Sequence, residues 1–369
     1  MHILFIKPIN IIIASLLFIF ILNTESFSSH LKDKSKKEKE KYLEIRISKI
    51  PSDFSKIIIP PGKNKKNIIK NIVENKNTDK IDENIKNSTL LSVLYYDGKK
   101  ITVDKKSNKI NDDTKLYSMS ISKSFVSYIL GEAICSNHIK SINDKISIYV
   151  PEAKGTLYEN STLKDLINMS AGDTSFSNRQ PGSATFPYVN KVMVNKDAIK
   201  EYLALSTGKK ITTKEFNYHN FLTDLIARAI DVTVPGGLKE SYHAFASKAG
   251  TNSEMFFLTD KNGWPLLHGW FYATREDFLR LGIQVAEDWN SKTCIGDYLT
   301  SIEKMKIKAP YNSSYSGFFW YSNNIQPRHA EMRGHGGQRI HINLKKGSVL
   351  AFHSIASDYN EKHILDLIK

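Results

Sequence analysis

The sequence predicts a mixed α/β fold of the α+β kind: an antiparallel sheet formed by both chain ends, flanking helices and an inserted helical lobe. Three features of its 369 residues carry that expectation. LLSVLYYDGKKITVDKK, from Leu90 to Lys106, sets an Asp97-Gly98 turn between two β-prone runs, a strong hairpin signal. Near the C-terminus QRIHINL, the turn Lys345-Lys346-Gly347 and SVLAFHSI repeat the pattern, and YNEKHILDLIK reads as a closing helix. Between them LKDLINM, FLTDLIARAI and TREDFLRLGIQVAEDW space their apolar residues as helices do. Strands at both ends with helices between suit one sheet closed by the two termini.

A hydrophobic share of 41% is enough for a large packed core and excludes disorder of the whole. The formal charge of +14 is regional, because residues 31–100 hold 18 Lys+Arg against 10 Asp+Glu. That stretch is built from Lys, Asn and Ile rather than from Arg interleaved with aromatics, so it reads as a solvated tether and not a nucleic-acid surface.

The N-terminus runs MHILFIK and then twelve apolar or small residues from Ile11 to Leu22, with Ser26 and Ser28 suiting peptidase cleavage. Residues 1–28 are therefore expected to be a signal peptide, with an uncleaved membrane anchor as the alternative. Either places the protein outside the cytoplasm, in the periplasm or cell envelope. Residues 29–88 read as a basic linker able to dock one strand or turn, and residues 89–369 as the main domain. Cys135 and Cys294 are the only cysteines, with no zinc spacing around them, so no metal is expected. Cys135, beside Ala133 and Ile134, reads as a buried thiol; export would permit its pairing with Cys294.

YSMSISKSFVSYILGEAI, from Tyr117 to Ile134, holds the first chemical candidate. Ser-x-x-Lys alone is weak, for the chain has five: Ser29/Lys32, Ser120/Lys123, Ser161/Lys164, Ser206/Lys209 and Ser301/Lys304. Only Ser120 heads a long apolar helix. Free N–H groups there carry partial positive charge and can hold an oxyanion. Lys123, one turn on, shares its face, and burial would lower its pKa toward that of a useful base. The plainer reading is a helix cap at Ser118 or Ser120 and an exposed first-turn lysine.

Two more segments shift the balance. FNYHNFLTDLIARAI puts Tyr218 and Asn220 before an amphipathic helix, and RGHGGQRIHINL puts His335-Gly336-Gly337 beside a terminal strand. Of the pairs Tyr188/Asn190, Tyr218/Asn220 and Tyr321/Asn323, which all fit Tyr-x-Asn, only Tyr218 is followed by a long amphipathic helix. Taken singly, Tyr218 is a buried aromatic, Asn220 a cap and His335 a strand-end histidine.

With SISKSF, TLKDLINMSAG, Tyr-x-Asn, DKNGWPLLHGWFYATREDFLRLG and GHGGQ in this order, the chain from about Leu90 onward resembles the serine β-lactamase and penicillin-binding-protein family. Within it the likeness is to the branch of class C β-lactamases, related esterases and 6-aminohexanoate-dimer hydrolases. The resemblance implies Ser120 as nucleophile, proton transfer shared by Lys123 and Tyr218, and Asn220 binding Lys123 and the substrate amide. It further implies an oxyanion hole from the backbone N–H groups of Ser120 and Gln338. A phenol serves as a base only when a cation depresses its pKa, which Lys123 would supply. Gly336 and Gly337 would let a ligand approach the strand, and His335 would assist the leaving group.

Where the family commonly has Lys-Thr-Gly this chain has His335-Gly336-Gly337. That weakens β-lactam or D-Ala-D-Ala recognition, unless Arg333 or Arg339 compensates, and favours an ester or linear amide. No Gly-x-Ser-x-Gly and no phosphate-binding glycine loop occurs. The expectation is an exported serine hydrolase without metal or cofactor, acting on a small-molecule or peptide-like ester or amide. The competing readings are a β-lactam- or cell-wall-binding sensor that stays acylated, and an envelope tether worked by residues 31–100.

Overall fold

A computed structural model describes residues 55–173, 198–205, 215–325 and 329–368. The expected leader, the loop beyond Asp173 and the Tyr188/Asn190 pair lie outside them. Among the described residues no helix is long and apolar enough to cross a membrane.

The strands are β1 Ser55–Ile59, β2 Leu90–Tyr96, β3 Ile101–Lys106, β4 Leu116–Tyr117, β5 Met255–Thr259 and β6 Phe271–Ala273. They continue with β7 Ile307–Ala309, β8 Ser313–Ser316, β9 Phe319–Ser322, β10 His329–Gly334, β11 Gln338–Asn343 and β12 Val349–Ser354. The α-helices are α1 Lys76–Asn87, α2 Ile121–Cys135, α3 Ile146–Tyr149, α4 Leu163–Ile167 and α5 Ala198–Leu205. After them come α6 Asn220–Thr233, α7 Gly237–Ala249, α8 Arg275–Trp289, α9 Cys294–Lys304 and α10 Glu361–Leu365.

Eight strands form one antiparallel sheet in the order β3-β2-β12-β11-β10-β9-β8-β7. The N-terminal hairpin thus lies against the last strand, as the sequence predicts for a sheet closed by both ends. Asp97 N–H donates to Lys100 O at 3.0 Å in the first hairpin turn, and Gly98 takes φ +105 there. A second, four-stranded sheet, β1-β5-β6-β4, is not foreseen in the sequence. Its members are two to five residues long, and β1 finds β5 across about 200 positions of chain, a pairing that local periodicity does not encode.

Residues 55–87, read as linker, include that β1 strand and also α1. Asn75 caps α1 with a capping box, and Ile81 packs with Leu90, Val93, Leu350 and Phe352 on the outer face of the large sheet. The docked strand matches the expectation for this stretch; the helix goes beyond it.

Alternation along the strands divides the residues into two cores. Val349 and Ala351 of β12, Ala330 and Met332 of β10, and Ile340 and Ile342 of β11 face α2 and α8. Leu350 and Phe352 face α1 and α10 on the other side. Helix α2 is buried nearly all round, its serines and Lys123 included, and not only on the broad apolar face that its spacing suggests, because α6, α9 and the sheet enclose it. Gly131 allows α9 to approach: a Cβ there would stand 2.4 Å from the Tyr298 ring. The disulfide Cys135–Cys294 joins the end of α2 to the start of α9. Cys135 is therefore not the free thiol its apolar neighbours suggest; the approach of the two helices brings its partner from 159 residues away.

Candidate active site

Strand β4 delivers the chain to Ser120, the residue before α2. Met119 takes φ +48, an uncommon conformation for a side chain of its size, and turns the backbone sharply at this point. Two hydroxyls strap the turn to the segment before β6: Ser118 Oγ donates to Gly269 O at 2.9 Å and Ser122 Oγ to Leu267 O at 2.6 Å.

Ser120 occupies the cap position, yet its hydroxyl makes no capping hydrogen bond. Lys123 Nζ donates to it at 3.3 Å, and a further hydrogen bond joins it to the Tyr218 phenol. The Lys123 ammonium lies 5.5 Å from the centre of the Tyr218 ring. The structure thus brings Ser120, Lys123 and Tyr218 together. Ser120 keeps some exposure while Lys123 is 1% exposed. The exposed first-turn lysine of the plainer reading does not occur.

Burial sets the proton affinities. Desolvation lowers the Lys123 pKa to about 7, opposed by the Asp224 carboxylate, so near neutrality much of this lysine is an uncharged amine. The Tyr218 phenol moves the other way: desolvation raises it above the usual value, against a smaller lowering by its bond to Ser120. The cation-depressed phenol expected from the sequence is absent, because the buried lysine is itself a weak cation. Lys123 is the better proton acceptor of the pair.

Asn220 opens α6, but no hydrogen bond joins it to Lys123 among the described residues. The carbonyl of His268 accepts from Lys123 instead. His268 is fixed in turn by α6: its backbone N–H donates to Asp224 Oδ1 at 2.8 Å, and its Nδ1 lies 2.7 Å from Asp224 Oδ2. Trp270 Nε1 donates to His268 Nε2 at 3.2 Å, so that Nδ1 carries the ring proton and donates it to Asp224. Asp224 and His268 are site residues that sequence reasoning missed. A signal exists: an aspartate within the apolar FLTDLIARAI helix must have a partner, and the histidine in LLHGW supplies it. Beneath Tyr218, His219 is buried against Tyr202 and Tyr158, and desolvation followed by the Lys123 charge lowers its pKa to about 3.

The third segment borders the same turn. A Cβ on Gly334 would stand 2.6 Å from Ser118 O and 3.0 Å from Met119 Cβ, so glycine lets the end of β10 reach the backbone before Ser120. His335, Gly336 and Gly337 form the turn to β11, with φ +77 at Gly336 and +91 at Gly337. Gly337 also faces Tyr359, whose ring would stand 2.6 Å from an added Cβ. Gln338 pairs with Gly334 across the strands, and its side-chain amide donates to Ser354 O and to His335 O. That side chain braces the turn. Arg333 and Arg339 do not stand in for the missing Lys-Thr-Gly: they alternate with Met332 and Ile340 and so project from the face opposite α2.

Other copies of the short patterns fall elsewhere. Ser301 Oγ donates back to Tyr298 O within α9, and Tyr321 lies under Lys306. Ser29/Lys32 and Ser206/Lys209 lie outside the described residues.

No family model matches the sequence, and no curated protein does. Solved structures do. A Bacillus anthracis protein provisionally named a 6-aminohexanoate-dimer hydrolase superposes with a TM-score of 0.71 at 17% identity, over 91% of this chain and 93% of that one. A D-stereospecific amidohydrolase from a Streptomyces species gives 0.58 at 12% identity, over 79% and 96%. A class C β-lactamase from Rhodobacter sphaeroides gives 0.60 at 13%, over 80% and 98%. The chain thus has the serine β-lactamase and penicillin-binding-protein fold. Its structural neighbours include the amide-hydrolase and class C branches that the sequence motifs resemble.

Proposed function

We propose that the protein is a serine hydrolase cleaving an ester or amide bond, linear amides included, through an acyl-enzyme on Ser120. The observation that carries this reading is the Ser120 hydroxyl. It stands at a helix N-terminus but is bonded to a buried lysine and a phenol rather than to the helix it opens. Neutral Lys123 takes the proton as Oγ attacks the carbonyl carbon. Tyr218, hydrogen-bonded to Oγ, relays a proton to the departing alkoxide or amine, with His335 at the cleft edge assisting. Water then attacks the ester, and the acid leaves as Ser120 regains its proton. The N–H groups of Ser120 and Gln338 hold the oxyanion, and Asn220, not engaged with Lys123, is left for the substrate amide.

An ester or linear amide suits the site better than a β-lactam, since Arg333 and Arg339 face away from Ser120. The names of the Bacillus and Streptomyces neighbours support an amide. We extend the proposal to the compartment: the Cys135–Cys294 disulfide supports an oxidising location outside the cytoplasm, as export by residues 1–28 would give. Turnover of p-nitrophenyl acetate tests the reading. Ser120→Ala is expected to abolish it and Tyr218→Phe to reduce it at least about a hundredfold. Wild-type rates in both variants would refute it, and a single burst without turnover would favour an acylated sensor.

A further inference from the structure

On the side of the large sheet opposite α2, a cavity of about 610 Å³ opens between β9–β11 and α10. Its volume is that of a small-molecule site. Nothing in the proposed hydrolysis uses it, for none of Ser120, Lys123 or Tyr218 lines it.

Its walls divide by chemistry. Arg333, Arg339 and Lys362 bring three cations, against Glu331 and Glu361. Glu331 is already occupied: it accepts from Arg333 Nε at 2.7 Å and from Ser322 N–H at 3.0 Å. Arg339 stands 3.8 Å from Glu361, a loose pair between two solvent-accessible side chains. Lys362 has no ion pair among the described residues. The wall is left with one net positive charge.

His341 closes the floor of the cavity: it is 2% exposed, both ring nitrogens are buried, and Nδ1 stands 3.7 Å from Glu331 Oε2. Burial lowers its pKa to about 3, so at neutral pH it is an uncharged imidazole and adds no charge to the wall. The other wall is apolar, from Ile325, Leu365 and Ile368.

We propose that this cavity is a second binding site, taking a small amphipathic monoanion: a carboxylate with an aliphatic chain. The carboxylate sits between Arg339 and Lys362, and the chain lies along Ile325, Leu365 and Ile368. A single net charge suits one carboxylate better than a phosphate dianion. The site also touches the hydrolytic centre indirectly. Arg339 Nη1 donates to Gly334 O at 2.7 Å and Gln338 O at 2.9 Å, at the base of the turn that borders Ser120. Arg333 lies 5.2 Å above the Trp320 ring, and that ring stacks on Tyr218 at 6.0 Å. The inference stands on the cavity alone and does not need the hydrolase reading.

Titration of the full chain with sodium octanoate, followed by calorimetry and by tryptophan fluorescence, tests it, with 1-octanol as the uncharged control. Saturable octanoate binding is expected, at least about tenfold tighter than octanol, as one charge-assisted contact provides. Lys362→Glu, at an exposed position, and Arg339→Gln are each expected to weaken octanoate about tenfold. Lys362→Glu should leave circular dichroism and p-nitrophenyl acetate turnover unchanged. Absence of saturable binding, or binding that both variants leave intact, overturns the proposal. So does octanoate binding that vanishes when Ser120 alone is acylated, since the ligand would then occupy the Ser120 cleft.

Discussion

In the proposed mechanism Lys123 decides the chemistry, because it is both buried and short of counter-charge. An ordinary lysine is protonated until pH is well above 10, whereas this one loses its proton around 7. Hydrolysis needs the neutral amine, so kcat/KM should rise with pH through about 7. Asp224 raises the Lys123 pKa, and Asp224→Asn removes that charge while keeping the shape. The rising limb of the pH profile is then expected to move to lower pH, which a merely structural role for Asp224 would not produce. Stability carries the opposite mark. Unfolded Lys123 holds its proton up to about 10.5 and the folded one only to about 7, so the unfolded state binds more protons between these values. Its penalty on folding is full below pH 7 and fades as pH rises to about 10.5. Lys123→Met should therefore be inactive yet more stable at pH 6, by on the order of 3 kcal/mol, the gain shrinking toward pH 10 in urea titrations. Ser120, Lys123 and Tyr218 were legible because each stands at a fixed offset from a helix that its own apolar pattern announces. Asp224 and His268 were less so: a charge inside an apolar helix signals a buried partner, but the contact crosses 44 residues and no local pattern says which residue that partner is.

Helix α2 links the site to the core. Its N-terminus holds Ser120, its C-terminus is bonded to α9, and both are fixed without a loop between them. Replacing Cys135 and Cys294 by alanine frees a closure of 159 residues and is expected to lower stability by about 4 kcal/mol. Thermal unfolding in the presence and absence of reductant measures it, and kcat at 25 °C should change little. The two hairpins were legible because Asp97-Gly98 and Lys345-Lys346-Gly347 are local turn chemistry between β-prone runs. The four-stranded sheet was not, because β4 and β6 have only two and three residues and owe their form to their neighbours.

The whole molecule is stapled by segments far apart in sequence. Residues 55–87 look solvated by composition, yet β1 pairs with β5, α1 covers the outer core, and Lys66 O accepts from Arg280 at 2.6 Å. A Lys- and Asn-rich stretch conceals these contacts because only a few of its residues, among them Ile59 and Ile81, carry the packing. Deleting residues 55–88 is expected to lower the melting temperature markedly and to leave little soluble protein. An unchanged melting curve would show that stretch to be a dispensable tether. The order of motifs along the chain made the fold legible, while the same motifs name no substrate.

In the proposed mechanism Ser120 is a nucleophile activated by a buried, uncharged lysine. Labelling the purified protein with a fluorophosphonate probe, followed by peptide mass mapping, tests it directly. That mechanism requires an adduct on Ser120 that forms faster as pH rises through about 7 and disappears in Lys123→Ala. A folded protein that takes no label at Ser120, or that labels equally well without Lys123, would contradict it.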